Sequence, residues 1–126
     1  MTKEDILIID DNRLTREALA LLLDTEGFSV HDCADGISAL NLSKKQRYPI
    51  YIIDYNMPEL KGDEVTSRLR KLHPDSFIIG YSLETKEKAF ITAGADKFIA
   101  KDDLINKLIL TIKDAMLVRT VKAKGN

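Results

Sequence analysis

The sequence predicts a doubly wound α/β domain, a parallel sheet with helices packed on both faces. Three observations lead there. Apolar runs of strand length recur along the chain, Ile6-Leu7-Ile8-Ile9, Ile50-Tyr51-Ile52-Ile53 and Phe77-Ile78-Ile79-Gly80-Tyr81. None alternates polar with apolar, so each reads as a strand buried on both faces. Between them lie stretches with apolar residues at helical spacing, bounded by Gly, Pro, Asp and Asn. Strands alternating with helices imply right-handed crossovers and a sheet covered on both sides.

In chain order, the first strand is Ile6–Ile9 and Asp10-Asp11-Asn12 ends it. Leu14, Ala18, Leu21 and Leu22 then sit at i, i+4, i+7 and i+8, one face of a helix that stops at Gly27. A weaker strand covers Phe28 to Cys33, Asp35-Gly36 turns the chain, and a helix from Ile37 to Gln46 directs Ile37 and Leu40 inward. Pro49 opens the third strand, which ends at Asp54. Val65, Leu69 and Leu72 mark the third helix, which ends near His73-Pro74. The fourth strand closes at Ser82, a short helix spans Thr85–Ala93 up to Gly94, and Lys97–Ala100 is the fifth strand. The last helix runs from about Asp102 to near Val121, with Ile105, Leu108, Ile109 and Ile112 as its core face. Five strands and five helices result, with strands one, three and four in the sheet interior.

Composition narrows the function. At 126 residues the chain is one domain, residues 1–126, long enough to bury about two-thirds of its unfolded surface. A net charge of −1 points to neither a nucleic-acid surface nor a polybasic membrane patch. Cys33 is the single cysteine, which excludes an internal disulfide, suits a reducing compartment and reads as a buried thiol. The polar residues 1–5 lead straight into a strand, so no signal peptide is expected, and no apolar run approaches the roughly 18 residues of a membrane span. The expectation is a soluble cytoplasmic protein. His31 and His73 have no partner pattern and read as structural or surface residues.

The chemistry gathers at the carboxyl ends of the strands, where open α/β sheets bind ligands. Strand one delivers Asp10 and Asp11, strand three Asp54, strand four Ser82 and strand five Lys101. Three carboxylates meeting at one edge repel one another, so either a pKa rises or a cation sits among them. Oxygen ligands without His or Cys favour a hard ion such as Mg²⁺. Mg²⁺ uses one or two carboxylates plus phosphate oxygens, which leaves a carboxylate free as a nucleophile towards phosphorus. Lys101 and Ser82 are suited to hold the equatorial oxygens of a transferring phosphoryl group.

These residues carry a family resemblance. Asp10-Asp11, Asp54, Met57-Pro58, Gly62, Ser82, Gly94-Ala95-Asp96 and Lys101, in this order on these strands, resemble a response-regulator receiver domain of the two-component signalling systems, CheY-like in type. The likeness covers residues 4–120. It implies a flavodoxin-like sheet in the order 2-1-3-4-5. It also implies that Asp54 is the phosphoacceptor for a sensor histidine kinase or phosphotransfer protein. Asp11, Asp54 and the Asn56 backbone carbonyl would ligate Mg²⁺, and Asp10 would act through a metal-bound water. Lys101 would pair with phosphoryl oxygens and Ser82 would hydrogen-bond one of them. Phe98 would be the aromatic switch, rotating inward as the Ser82 loop closes. The implied protein is a signalling switch and not an enzyme, acting on a downstream target or a fused output domain through the fourth helix, fifth strand and fifth helix.

Singly, each residue has an ordinary reading. Asp11 or Asn12 can cap a helix, Ser82 likewise, Lys101 can be a solvated surface lysine and Phe98 a core residue. The joint pattern is what overrides these. Three departures from the family stand out. Asp102 follows Lys101 where a Pro, often after a cis bond, is usual; a cis bond before Asp would cost about 3 kcal/mol, so a trans bond is expected. Ser82 and Lys101 are 19 positions apart, shorter than usual by about one helical turn, and the deficit falls on the fourth helix. Leu83 stands where a small residue is preferred, and its bulk narrows access to Asp54. Asn56 and Glu84 occupy positions that tune phosphoryl lifetime in the family. Leu110, Leu117 and Val121 form a second apolar stripe on the last helix, suited to partial burial or to a homodimer or partner contact. The basic end, Arg119, Lys122 and Lys124, reads as the start of a linker, in a stand-alone receiver or a piece of a longer chain. Two rival classes remain: a Mg²⁺-dependent phosphohydrolase, which would want an acid where Asn56 stands, and a flavodoxin-like nucleotide binder, whose phosphate loop would not carry Asp10-Asp11.

Overall fold

A computed structural model describes residues 5–125, with side chains described for residues 5–117. The elements run β1 (Ile6–Ile9), α1 (Arg13–Thr25), β2 (Val30–Cys33), α2 (Gly36–Lys45), β3 (Ile50–Asp54), α3 (Gly62–Leu72), β4 (Phe77–Ser82), α4 (Glu87–Ala93), β5 (Lys97–Ala100), a 3₁₀ turn (Lys101–Asp103) and α5 (Leu104–Gly125). All strands pair in parallel, in the order β2-β1-β3-β4-β5. The expected doubly wound sheet and its strand order are what the chain adopts.

Successive residues of a strand face opposite sides of the sheet, and β1 divides its four apolar residues accordingly. Ile6 and Ile8 join Leu19, Leu23, Leu108 and Ile112 beneath α1 and α5. Leu7 and Ile9 join Ala39, Val65, Leu69 and Phe90 beneath α2, α3 and α4. Every residue of β1 and β3 is buried, as their unbroken apolar runs require.

Helix phase is where the periodicity misled. In α1 the buried residues are Leu19 and Leu23, while Leu14 and Leu21 are exposed. That helix is apolar on more than one side, and the contact with Phe28 and Val30 selects the face. In α2, Ala39 and Ser43 are buried and Ile37 is exposed; Leu40 is partly covered. In α3, Val65 and Leu69 are inside but Leu72 is at the surface. In α5 the buried stripe is Leu104, Leu108, Ile112 and Ala115, and Ile105 faces solvent. The preceding 3₁₀ turn winds at three residues per turn and sets this phase. Leu110 and Leu117 are exposed, off the core face, and the side chain of Val121 lies outside the described residues, as do those of Arg119, Lys122 and Lys124.

Helix α4 starts at Glu87, two residues later than expected, and buries Phe90. It ends at Gly94, whose φ of 114° is open to glycine and strained for other residues. The histidines are structural: His31 Nδ1 lies 2.6 Å from the Tyr48 hydroxyl and His73 Nε2 lies 2.7 Å from the Ser43 carbonyl oxygen. Cys33 is half-buried where a buried thiol was expected, and burial, with Asp35 beside it, pushes the thiol up to about 12, which disfavours the nucleophilic thiolate at neutral pH.

Candidate functional site

The strand order reverses between β1 and β3, which leave the sheet in neighbouring positions and carry their connections to opposite faces. Ile9 is in register with Ile53, Asp54 with Tyr81, and Ser82 with Ala100. Asp10, Asp54, Ser82 and Lys101 therefore leave the sheet along one edge. A cleft of about 250 Å³ opens there, lined by Asp10, Asp11, Asn12, Asp54, Asn56, Leu83 and Lys101.

The acid pair is divided by its surroundings. Asn12 is the N-cap of α1, its Oδ1 accepting the Thr15 N–H at 2.9 Å, so Asp11 is left exposed and free of capping duty. Asp10 is fully buried. Its Oδ1 accepts the Asn12 N–H at 2.8 Å and its Oδ2 accepts the Tyr81 hydroxyl. Its carbonyl accepts Arg16 Nη1 at 2.9 Å, and Arg16 Nε also donates to Asp32 Oδ1 at 3.3 Å, tying the ends of β1 and β2 together.

Asp54 is buried at the end of β3. Asp10, Asp11 and Asp54 each offer an oxygen within 4.8 Å of the others. Burial, then the charge of Asp10, and further the charge of Asp11, raise the Asp54 carboxyl to about 7, against the opposing pull of Lys101. Burial is the larger cause, and the neighbouring carboxylates add to it. The donor set, oxygen only in an open cleft with no His or Cys among its lining residues, fits a hard divalent ion such as Mg²⁺ and not zinc.

The remaining residues divide between the cleft and its supports. Lys101 opens the 3₁₀ turn and places its Nζ 6.0 Å from the centre of the Tyr81 ring, on the cleft wall. No peptide bond among the described residues is cis, so the Lys101–Asp102 bond is trans as expected. Asn56 lines the cleft, and its Nδ2 donates to Glu84 Oε1 at 3.0 Å. Leu83, strongly exposed, forms part of the rim. Ser82 is placed differently: it is buried, is not among the lining residues, and its Oγ accepts the Glu84 N–H at 3.0 Å. Phe98 is half-buried on the other face, its ring 5.9 Å from that of Phe90, which lies 5.9 Å from Tyr55 next to Asp54. A Cβ at position 62 would meet the Asp54 carbonyl and the Tyr55 Cα, so α3 can approach the acid only through Gly62.

Two residues that shape the site carried no distinguishing mark in the sequence. Tyr81 read as one more residue of an apolar strand, and nothing in the sequence singled out Arg16. Their roles depend on partners that only folding brings close.

A doubly wound sheet with three acids and a lysine at its switch point defines the receiver class, and the comparisons agree: the chain belongs to the response regulator receiver domain family, which it matches over residues 6–113. That family consists of regulatory phosphoacceptor domains of two-component response regulators, phosphorylation-dependent switches. Among curated relatives, the transcriptional regulatory protein SrrA of Staphylococcus aureus is 31% identical over 118 residues, 92% of this chain and 48% of the relative. The chain thus spans about half the length of the curated relatives it matches. Among solved structures, the chemotaxis response regulator CheY4 of Vibrio cholerae superposes with a TM-score of 0.82 at 27% identity, covering 90% of this chain and 99% of that one. TrrA of Thermotoga maritima, solved in complex with Mg²⁺ and BeF, gives a TM-score of 0.82 at 27% identity over the same shares. Among the described residues no helix is long and apolar enough to cross a membrane.

Proposed function

We propose that Asp54 accepts a phosphoryl group from a phosphohistidine of a sensor kinase or phosphotransfer protein. An Asp54 Oδ attacks phosphorus as the P–N bond breaks, giving an aspartyl phosphate and returning the electron pair to the imidazole. The observation that carries this reading is the gathering of Asp10, Asp11 and Asp54 within 4.8 Å at the switch point of the sheet. Asp11, Asp54 and the Asn56 carbonyl would hold Mg²⁺, with Asp10 engaged through water. When bound, Mg²⁺ neutralises the converging charges and orients the phosphoryl oxygens.

Lys101 is the cation that pairs with the phosphoryl oxygens in the product. Ser82 reaches it by giving up its bond to the Glu84 N–H, a rearrangement that moves the β4–α4 loop. The aromatic contact from Tyr55 through Phe90 to Phe98 gives that movement a route to the α4–β5–α5 face. The output is a downstream protein or a fused output domain in the cytoplasm, and exposed Leu110 and Leu117 suit α5 to a homodimer contact. Sedimentation of free and phosphorylated protein tests that last point.

The central experiment is intact mass after incubation with acetyl phosphate and Mg²⁺. One phosphoryl adduct is expected on the native chain and none on Asp54→Asn. An unmodified native chain, or an adduct that survives Asp54→Asn, defeats the reading. Multiple turnover on a small phosphate ester would replace it with a hydrolase.

A further inference from the structure

Tyr81 is the unusual neighbour of this site. Its side chain is fully buried in the layer beneath α1 and α5, with Ile8, Ile52, Leu104 and Leu108 in the same cluster. Its backbone pairs with Asp54 in β3, and its hydroxyl donates to Asp10 Oδ2. Asp10 Oδ1 is already engaged by the Asn12 N–H. Both oxygens of a fully buried carboxylate are therefore satisfied from within the protein, before any cation arrives.

We propose that the Tyr81 hydroxyl competes with the divalent cation for Asp10, and so weakens the affinity of the site for Mg²⁺. The inference rests on the phosphoacceptor reading of the site. An ionised carboxylate is costly to bury and must be compensated by donors or by a cation. Here the phenol supplies part of what Mg²⁺ and its water would otherwise supply. The two are alternatives for the same charge, so removing the phenol O–H strengthens the pull of Asp10 on the metal. Each carboxylate oxygen has a second lone pair, so the phenol weakens metal binding without excluding it. A phenol ordinarily keeps its proton to about pH 10, so the hydroxyl is a donor at neutral pH. The coupling is reciprocal: Mg²⁺ must loosen the Tyr81 bond by the factor with which that bond loosens Mg²⁺. Asp11, exposed and without a donor of this kind, carries no such brake.

The test is calorimetric titration of MgCl₂ into the native chain and Tyr81→Phe at fixed ionic strength, with denaturant unfolding of both at zero and saturating Mg²⁺. Phe keeps the ring and its packing and removes only the hydroxyl. Tyr81→Phe is expected to bind Mg²⁺ roughly five- to tenfold more tightly, within the usual size of such couplings. It is also expected to be less stable than the native chain without Mg²⁺, with the gap closing at saturation. A dissociation constant within twofold of the native one, or a weaker one, overturns the proposal. In an Asp10→Asn background the Tyr81→Phe effect on affinity should disappear, and its persistence would show that the hydroxyl acts elsewhere. A native chain that binds no Mg²⁺ overturns the phosphoacceptor reading itself, whereas equal constants overturn the competition alone. The unfolding arm reads the same coupling if the variant is only marginally folded.

Discussion

Replacing Asp54 with Asn should stabilise the metal-free protein, and the size of the gain is set by its burial and then by the charges around it. Burial and the charge of Asp10 lift the Asp54 carboxyl from 3.8 to about 7, with Asp11 adding to the effect and Lys101 opposing it. A raised carboxyl pKa means that between these values the native chain binds more protons than the unfolded one. Stability therefore falls as pH rises through that window and is level above it. The full cost is about 4 kcal/mol, reached near pH 8. Asn has the same shape and cannot ionise, so Asp54→Asn should recover most of this at pH 8 and less than half of it at pH 5. Saturating Mg²⁺ should shrink the advantage at pH 8, because the cation then compensates the native carboxylate. Urea unfolding of both proteins at the two pH values, with and without Mg²⁺, measures all of this. An Asn variant no more stable than the native chain at pH 8, or equally favoured at both pH values, would refute the reasoning.

Other perturbations test the supports of the site. Leu83 projects at the cleft rim; Leu83→Ala should speed both phosphorylation by acetyl phosphate and loss of the phosphoryl group, and unchanged rates would remove the idea that it screens Asp54. Phe90 is the buried anchor of α4 and sits directly on Gly80; Phe90→Ala should cost about 3–5 kcal/mol in denaturant unfolding, and a loss under about 1 kcal/mol would mean that α4 is held by other contacts. The Arg70 guanidinium donates to the carbonyls of Gly94, Pro74 and Ser76 and to Asp96 Oδ2, which also accepts the Ile78 N–H. A lysine cannot reproduce that fork, so Arg70→Lys should destabilise by about 2 kcal/mol, and equal stability would show the network to be dispensable.

The strands were legible because their information is local. Four apolar residues in a row before an acid, as in Ile6–Ile9 and Ile50–Ile53, admit few readings other than a doubly buried strand. The cap at Asn12, the turn at Asp35-Gly36 and the stop at Gly94 are likewise local hydrogen bonding and backbone geometry. From these alone the alternation of elements, the parallel sheet and the assembly of Asp10, Asp11, Asp54 and Lys101 at one edge could be argued, since residues that end parallel strands must emerge on one side. The order of charges along the chain was enough to name the family it resembled.

What the chain alone left open were quantities decided between segments remote in sequence. Whether Leu14 or Leu19 faces inward depends on how α1 lies across β1 and β2, and a helix apolar on two sides does not say. Ser82 ends β4 as expected, yet it is buried, its hydroxyl accepts the Glu84 N–H, and it is not among the residues lining the cleft. Tyr81 looked like an ordinary core residue until the register of β3 with β4 brought it to Asp10, 71 positions away. Local sequence determines which backbone segments form and where each one ends. The partners of a buried hydroxyl or carboxylate are set by strand register and helix phase, which exist only once the whole sheet has closed.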